Sequence, residues 1–130
     1  MATVRYLVKD VDACVAFYTQ HLGFAVKQQF GPNMAILNRN DLILWVAGPN
    51  ASAARAMPDG RKPEPGGWNR FVIEVEELPE IVAHLRQHGV SFRNEIVEGP
   101  GGKQILAEDP SGNVIELFEP SEIAKSAAGR

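Results

Sequence analysis

The stretch that decides the fold is DPSGNVIELFEP, Asp109–Pro120. Pro110, Gly112 and Asn113 spell a tight polar turn. Val114–Phe118 then reads as a strand that carries one carboxylate, Glu116, among apolar neighbours. On a strand, Val114, Glu116 and Phe118 share one face, while Ile115 and Leu117 supply the opposite, core-facing side. An acid in that place could be a metal ligand, a general base, or the wet side of a half-buried strand.

Working outward, the chain repeats itself. Thr3–Val8 and Arg70–Val75 are strand candidates, each followed by an acidic turn, KDVD at Lys9–Asp12 and EELP at Glu76–Pro79. Val11, Cys14, Val15 and Tyr18 then follow the i, i+3, i+4, i+7 spacing of an amphipathic helix. Leu78, Ile81, Val82 and Leu85 repeat it, each displaced by 67 positions. Pro79 suits the first helical position, and Gly23 and Gly89 suit left-handed C-terminal caps. Three strand-like runs close each half: Ala25–Phe30, Met34–Leu37 and Leu42–Val46, then Ser91–Val97, Lys103–Ala107 and Val114–Phe118. Each half is therefore β-α-β-β-β, and half a domain of this kind leaves one sheet face bare. The expected fold is α+β: two tandem βαβββ modules whose curved mixed sheets surround a cleft.

The expected organisation is a single domain of module 1 (3–47), a linker (48–68), module 2 (69–120) and a C-terminal tail (121–130). The linker, GPNASAARAMPDGRKPEPGG at Gly48–Gly67 and then Trp68, has no sustained period, although Ala51–Met57 could form a helical turn or two. A structureless segment of this length suggests a flap or a contact surface as readily as a spacer. Composition is that of an ordinary globular chain, 45% hydrophobic and 22% charged, with net charge -3. That balance gives no case for nucleic acid or an anionic membrane. The lone Cys14 forms no intrachain disulfide, and Met1–Asp12 reads as strand and turn rather than as a signal peptide. A cytoplasmic setting is expected.

VKDVDACVAFYTQHLGF (Val8–Phe24), FVIEVEEL (Phe71–Leu78) and DPSGNVIELFEP, set in paired βαβββ modules, resemble the vicinal-oxygen-chelate superfamily. That superfamily includes glyoxalase I, bleomycin-resistance proteins, fosfomycin-resistance enzymes and extradiol dioxygenases. The resemblance spans about Thr3 to Pro120 and implies a cleft that metal-dependent members line with ligands on the first and last strands of each module. Carried over position by position, those ligands fall on Thr3, Arg70 and Glu116, and on Leu44 as the counterpart of Glu116 when the modules are aligned on the turn pairs Asn40-Asp41 and Gly112-Asn113. Leucine donates nothing, a threonine hydroxyl is a poor ligand, and a permanent cation repels a metal. No metal and no cofactor are therefore expected.

What remains is a polar pair, Arg70 with Glu116, supplemented by Arg5 and Thr3. Trp45, Trp68 and Phe118 offer stacking surfaces, and Lys103 and Gln104 are rim candidates. His84 and His88, four apart, lack the glutamate of a metalloprotease helix and read as surface residues, as does His21. Three functions stay open. The preferred one is a metal-independent binding protein, a homodimer, that takes up a small organic molecule, as in drug or metabolite sequestration. The second is a lyase, isomerase or dioxygenase-like enzyme using Glu116 as acid or base, and the third a structural or protein-binding module with a filled cleft.

Overall fold

The computed structural model describes residues 2–122, so most of the expected tail lies outside the described residues. The elements run β1 (Ala2–Leu7), α1 (Val11–His21), β2 (Ala25–Phe30), β3 (Met34–Arg39), β4 (Leu42–Ala47), β5 (Arg70–Glu74), α2 (Leu78–Gln87), β6 (Ser91–Phe92), β7 (Val97–Gly99), β8 (Gly102–Glu108) and β9 (Val114–Pro120). Two βαβββ-like modules with mixed sheets result. The first sheet has the order β1-β4-β3-β2, the second β5-β9-β8-β6 with β7 also on β8. In each sheet the first strand runs parallel to the last one of its module.

By contact the chain forms two compact units. The first extends to Gly67 and also takes in Asp109–Asn113; the second holds Trp68–Glu108 and resumes at Val114. In the first unit, the amphipathic stripe buries Val11, Cys14, Phe17 and Tyr18 of α1. Ala35, Leu37, Leu44, Val46 and Ala47 are buried sheet residues there. In the second unit, Leu78, Val82 and Leu85 of α2 are buried, as are Phe71, Ile73, Ile105, Ala107, Ile115 and Leu117 of the sheet. Burying a side chain of this size contributes about 1.5–3 kcal/mol, so these stripes hold the helices on their sheets.

The two helices begin differently. Asp10 caps α1, its Oδ1 accepting the Ala13 N–H at 3.1 Å. At the repeat-related position, Glu77 is left-handed with φ 56° and makes no side-chain cap. The carboxylate of Glu119 does that work instead, accepting the Leu78 N–H at 2.9 Å. Pro79 is the second helical residue rather than the first, still among the positions whose N–H groups have no intrahelical acceptor. Both helices end at a left-handed glycine, Gly23 with φ 73° and Gly89 with φ 80°.

The run expected as one strand, Ser91–Val97, is interrupted. Arg93 donates its backbone N–H to the Leu106 carbonyl at 2.9 Å, and the Asn94 side chain accepts the Leu106 N–H at 3.0 Å. A side-chain amide thus replaces the next backbone rung, and regular pairing resumes only at Val97. The linker carries a short 3-10 turn at Ser52–Ala54.

Inside the first unit, the turn from the opening stretch is a hydrogen-bonded knot. The Asp109 carboxylate accepts from Tyr18 Oη at 2.8 Å, from Ser111 N at 2.8 Å, from Asn113 N at 3.0 Å and from Asn113 Nδ2 at 3.1 Å. Ser111 Oγ accepts the Lys9 N–H at 2.7 Å. Asn113 donates to the Leu7 carbonyl at 2.8 Å and accepts the Gly66 N–H at 2.8 Å. Burial pushes the Cys14 thiol up to about 12, and it pushes the Tyr18 phenol up as well.

Two predictions follow from this knot. Asp109→Ala leaves one phenol and two backbone N–H groups without their acceptor, and should cost about 3 kcal/mol in urea unfolding, against about 1 kcal/mol for Tyr18→Phe. Equal losses would show that the carboxylate is not the hub. Cys14 should resist thiol reagents at pH 8 until the chain is unfolded. Because Cys14 and Tyr18 ionise more readily in the unfolded chain, stability should fall as pH climbs from the ordinary thiol value of 9.0 through about 12. A flat urea midpoint between pH 8 and pH 10.5 would contradict this assignment.

Candidate functional site

Register places the polar residues. In the second sheet Arg70 lies opposite Val114, Val72 opposite Glu116 and Glu74 opposite Phe118. On the other side of β9, Glu108 lies opposite Val114, Leu106 opposite Glu116 and Gln104 opposite Phe118. Partners across a strand pair share a face, so Arg70, Glu116, Phe118, Gln104 and Glu108 all project from one side of this sheet. The opposite side carries the buried Phe71, Ile73, Ile105, Ala107, Ile115 and Leu117 and the Glu119 cap of α2. Lys103 lies on that opposite side, so of the two rim candidates only Gln104 shares the face of Glu116.

Glu116 is only 8% exposed. Arg70 donates to it from Nε at 3.1 Å and from Nη2 at 2.9 Å, and both bonds end on the same oxygen, Oε1. Among the described residues, Oε2 has no hydrogen-bond partner, and it is not sealed from solvent. The third guanidinium nitrogen of Arg70, Nη1, donates to the Trp68 carbonyl at 3.3 Å. Trp68 is 66% exposed, and the Arg93 guanidinium carbon sits 4.5 Å from its ring centroid. Arg93 in turn donates from Nε to Glu108 Oε2 at 2.8 Å. Glu108–Arg93–Trp68–Arg70–Glu116 is thus a continuous chain of contacts within the second unit.

The first sheet sets its own residues on a different pattern. Thr3 pairs with Ile43 and Arg5 with Trp45, and the Arg5 guanidinium carbon stands 4.8 Å from the Trp45 ring. Arg5 and Thr3 are exposed, Trp45 is half-buried. The register corrects one expectation. Thr3 and Arg70 are repeat-related, so the counterpart of Glu116, which faces Val72, is the residue facing Arg5. That residue is Trp45. Leu44 instead pairs with Val4 and is fully buried with the core residues of this unit. A one-residue slip between strands reverses the face, which is why matching the flanking turns misplaced it.

Neither set of positions fits a catalytic divalent ion. The first offers an exposed hydroxyl, a guanidinium and an indole; the second offers one carboxylate with a guanidinium on one of its oxygens. Among the described residues, no group of three or more His, Cys, Asp or Glu could hold a metal. His84 and His88 are exposed, their rings 4.3 Å apart, and among the described residues no third His, Cys, Asp or Glu joins them in a metal-binding group. A cavity of about 180 Å³ in the first unit, lined by Leu7, Pro49, Pro63 and Pro65 with Lys9 and Lys62, contains none of the expected ligand residues. No described helix is long and apolar enough to cross a membrane.

Arg93 and Glu108 were not among the residues singled out from sequence. Their pairing spans an interrupted strand, and the only local signal was two opposite charges in neighbouring strand runs.

Comparison with known proteins agrees with this architecture. No curated protein matches the chain in sequence. Among solved structures, the chain is similar to a lactoylglutathione lyase from Agrobacterium tumefaciens, with 19% identity, 92% of each chain covered and a TM-score of 0.71. It is similar to TnmS3, an antibiotic binding protein from Streptomyces sp. CB03234, with 22% identity, coverage of 92% of this chain and 93% of that one, and a TM-score of 0.68. It is also similar to the fosfomycin resistance protein FosX from Listeria monocytogenes, with 13% identity, 96% of each chain covered and a TM-score of 0.72. At these identities the likeness establishes the fold. The family profile matches residues 1–117, and the chain belongs to the Glyoxalase/Bleomycin resistance protein/Dioxygenase superfamily.

Proposed function

We propose that this chain binds a small planar organic molecule bearing an O–H or N–H group, and that it does so without a metal. The observation that carries the reading is the asymmetry at Glu116. Arg70 commits one carboxylate oxygen and leaves the other to accept from a ligand. A charge-assisted hydrogen bond to a largely buried carboxylate is among the stronger polar contacts a site can offer. Trp68 supplies a flat apolar surface on the same contact chain, the kind of group that fills most of a ligand's contact area. Thr3, Arg5, Trp45 and Phe118 remain candidate contacts, and assembly as a homodimer is part of the proposal. One solved relative is described as an antibiotic binding protein, and sequestration of a drug or metabolite fits a site of this composition.

The same open oxygen favours a second reading, in which Glu116 moves a proton in a lyase or isomerase reaction. The two part on turnover: a binding protein returns its ligand unchanged after prolonged incubation.

A thermal-shift screen of planar phenols and N–H heterocycles tests the proposal, because a ligand that binds only the folded state must stabilise it. Compounds with a donor should raise Tm, and Glu116→Gln should weaken them by roughly 10-fold to 100-fold, the worth of a hydrogen bond to a charged group. Equal shifts from O-methylated analogues would overturn the role given to Oε2. For the donor argument, chelator-treated protein should show no rise in Tm with one molar equivalent of zinc, nickel, manganese or iron(II). An ion present at a hundred times its Kd would add about 2.7 kcal/mol, so a tight site could not escape notice.

A further inference from the structure

A tryptophan 66% exposed would ordinarily sample several rotamers, yet Trp68 is held from two directions. Its carbonyl accepts from Arg70 Nη1 at 3.3 Å. Its ring lies against the Arg93 guanidinium, 4.5 Å from the centroid. Arg93 is itself fixed: its backbone N–H is on the Leu106 carbonyl at 2.9 Å, and its Nε is on Glu108 at 2.8 Å. The Arg93 side chain is 17% exposed and that of Glu108 30%, so this ion pair is better shielded than Arg86–Glu95, at 44% and 85%. One ion pair, through Arg70, anchors the Trp68 backbone, and the other sets Arg93 against its ring, which remains open to solvent. Ordering a side chain has an entropic cost, and an exposed aromatic surface of this kind is a natural contact for a ligand.

We propose that Arg93 and Glu108 are positioning residues that hold Trp68 as a stacking platform, and that the Arg93 charge makes the platform select neutral or anionic planar ligands over cationic ones. The selectivity follows from ring electrostatics. Both faces of an indole carry negative potential and attract cations. Arg93 occupies one face, and its positive charge lowers the attraction of the other. Glu108 sits on the side of Arg93 at Nε, so the pair acts as a dipole and not as a neutral cap. A cationic ring stacking on the free face therefore meets a like charge through one thickness of indole, whereas a neutral or anionic ring does not.

The inference rests on the planar-ligand reading above, and its test separates the two. A Trp45→Phe background leaves Trp68 as the sole indole. In that protein, time-resolved anisotropy should show a ring moving with the whole molecule, and Arg93→Gln or Glu108→Gln should free it. Three probes of similar size are then titrated into the parent protein, where comparison with Trp45→Phe assigns the Trp68 indole N–H resonance: 2-naphthol, naphthalene-2-sulfonate and N-methylquinolinium. The first two should bind at least roughly tenfold more tightly than the third. Arg93→Gln should shrink that ratio, and Arg93→Lys, which keeps the charge, should largely preserve it. A ratio unchanged by Arg93→Gln, or equal binding of the cation, overturns the selectivity while leaving the planar-ligand reading intact. Silence from all three probes beside an immobile ring sinks both. A ring already mobile in the parent protein overturns the positioning role directly.

Discussion

A carboxylate out of water needs donors, and Asp109 has four. An isolated buried charge costs several kcal/mol, and only a set of well-placed hydrogen bonds offsets it. Three of the four come from its own turn, the backbone N–H groups of Ser111 and Asn113 and the Asn113 side chain. The fourth, from Tyr18, links the turn to α1, and the Asn113 side chain carries the link on to the end of β1 and to Gly66. Ser111 adds the start of the turn after β1. Remove the carboxylate and the Tyr18 phenol and the backbone N–H groups of Ser111 and Asn113 lose the acceptor they share.

Much of this was legible from sequence because it is local or repeated. The stripe of α1 and its copy 67 positions later give helix, sheet and order of elements together. Glycine caps and turns were visible for the same reason: each is dictated by one residue's conformational freedom. The knot around Asp109 was not, since DPSGN reads as an ordinary exposed turn and nothing local shows that its acid is 4% exposed. The break at Arg93–Ile96 was hidden as well. An apolar-polar run looks like a strand, and only the Leu106 backbone, distant in sequence, reveals that Asn94 takes a rung.

The candidate site divides along the same line. That Glu116 and Arg70 meet was implied by the family resemblance, and strand alternation set the face of Glu116. That both Arg70 donors converge on Oε1 is a matter of tenths of an ångström, and no pattern of letters carries it. The misplacement of Leu44 has an equally physical source. Turns tolerate insertions, so aligning the modules on their turns can slip by one residue, and in a strand one residue is the difference between core and surface. Hydrogen-bond register, which puts Trp45 opposite Arg5, does not slip in this way.

Once that register is respected, the two modules are seen to build the same geometry from different chemistry. Thr3 and Arg70 occupy one repeat-related position, Arg5 and Val72 the next, Trp45 and Glu116 the third. In the first module the cation lies directly across from an indole and stacks on it. In the second the cation has moved one face-position along the first strand and reaches diagonally to a carboxylate. A stacked arginine is satisfied by a surface that asks nothing of a ligand, whereas the carboxylate keeps an oxygen with no partner among the described residues. The duplication therefore conserved where a cation meets the last strand, and the divergence lies in what that strand offers it. This difference makes Glu116, and not its counterpart Trp45, the position that keeps an acceptor oxygen open to solvent.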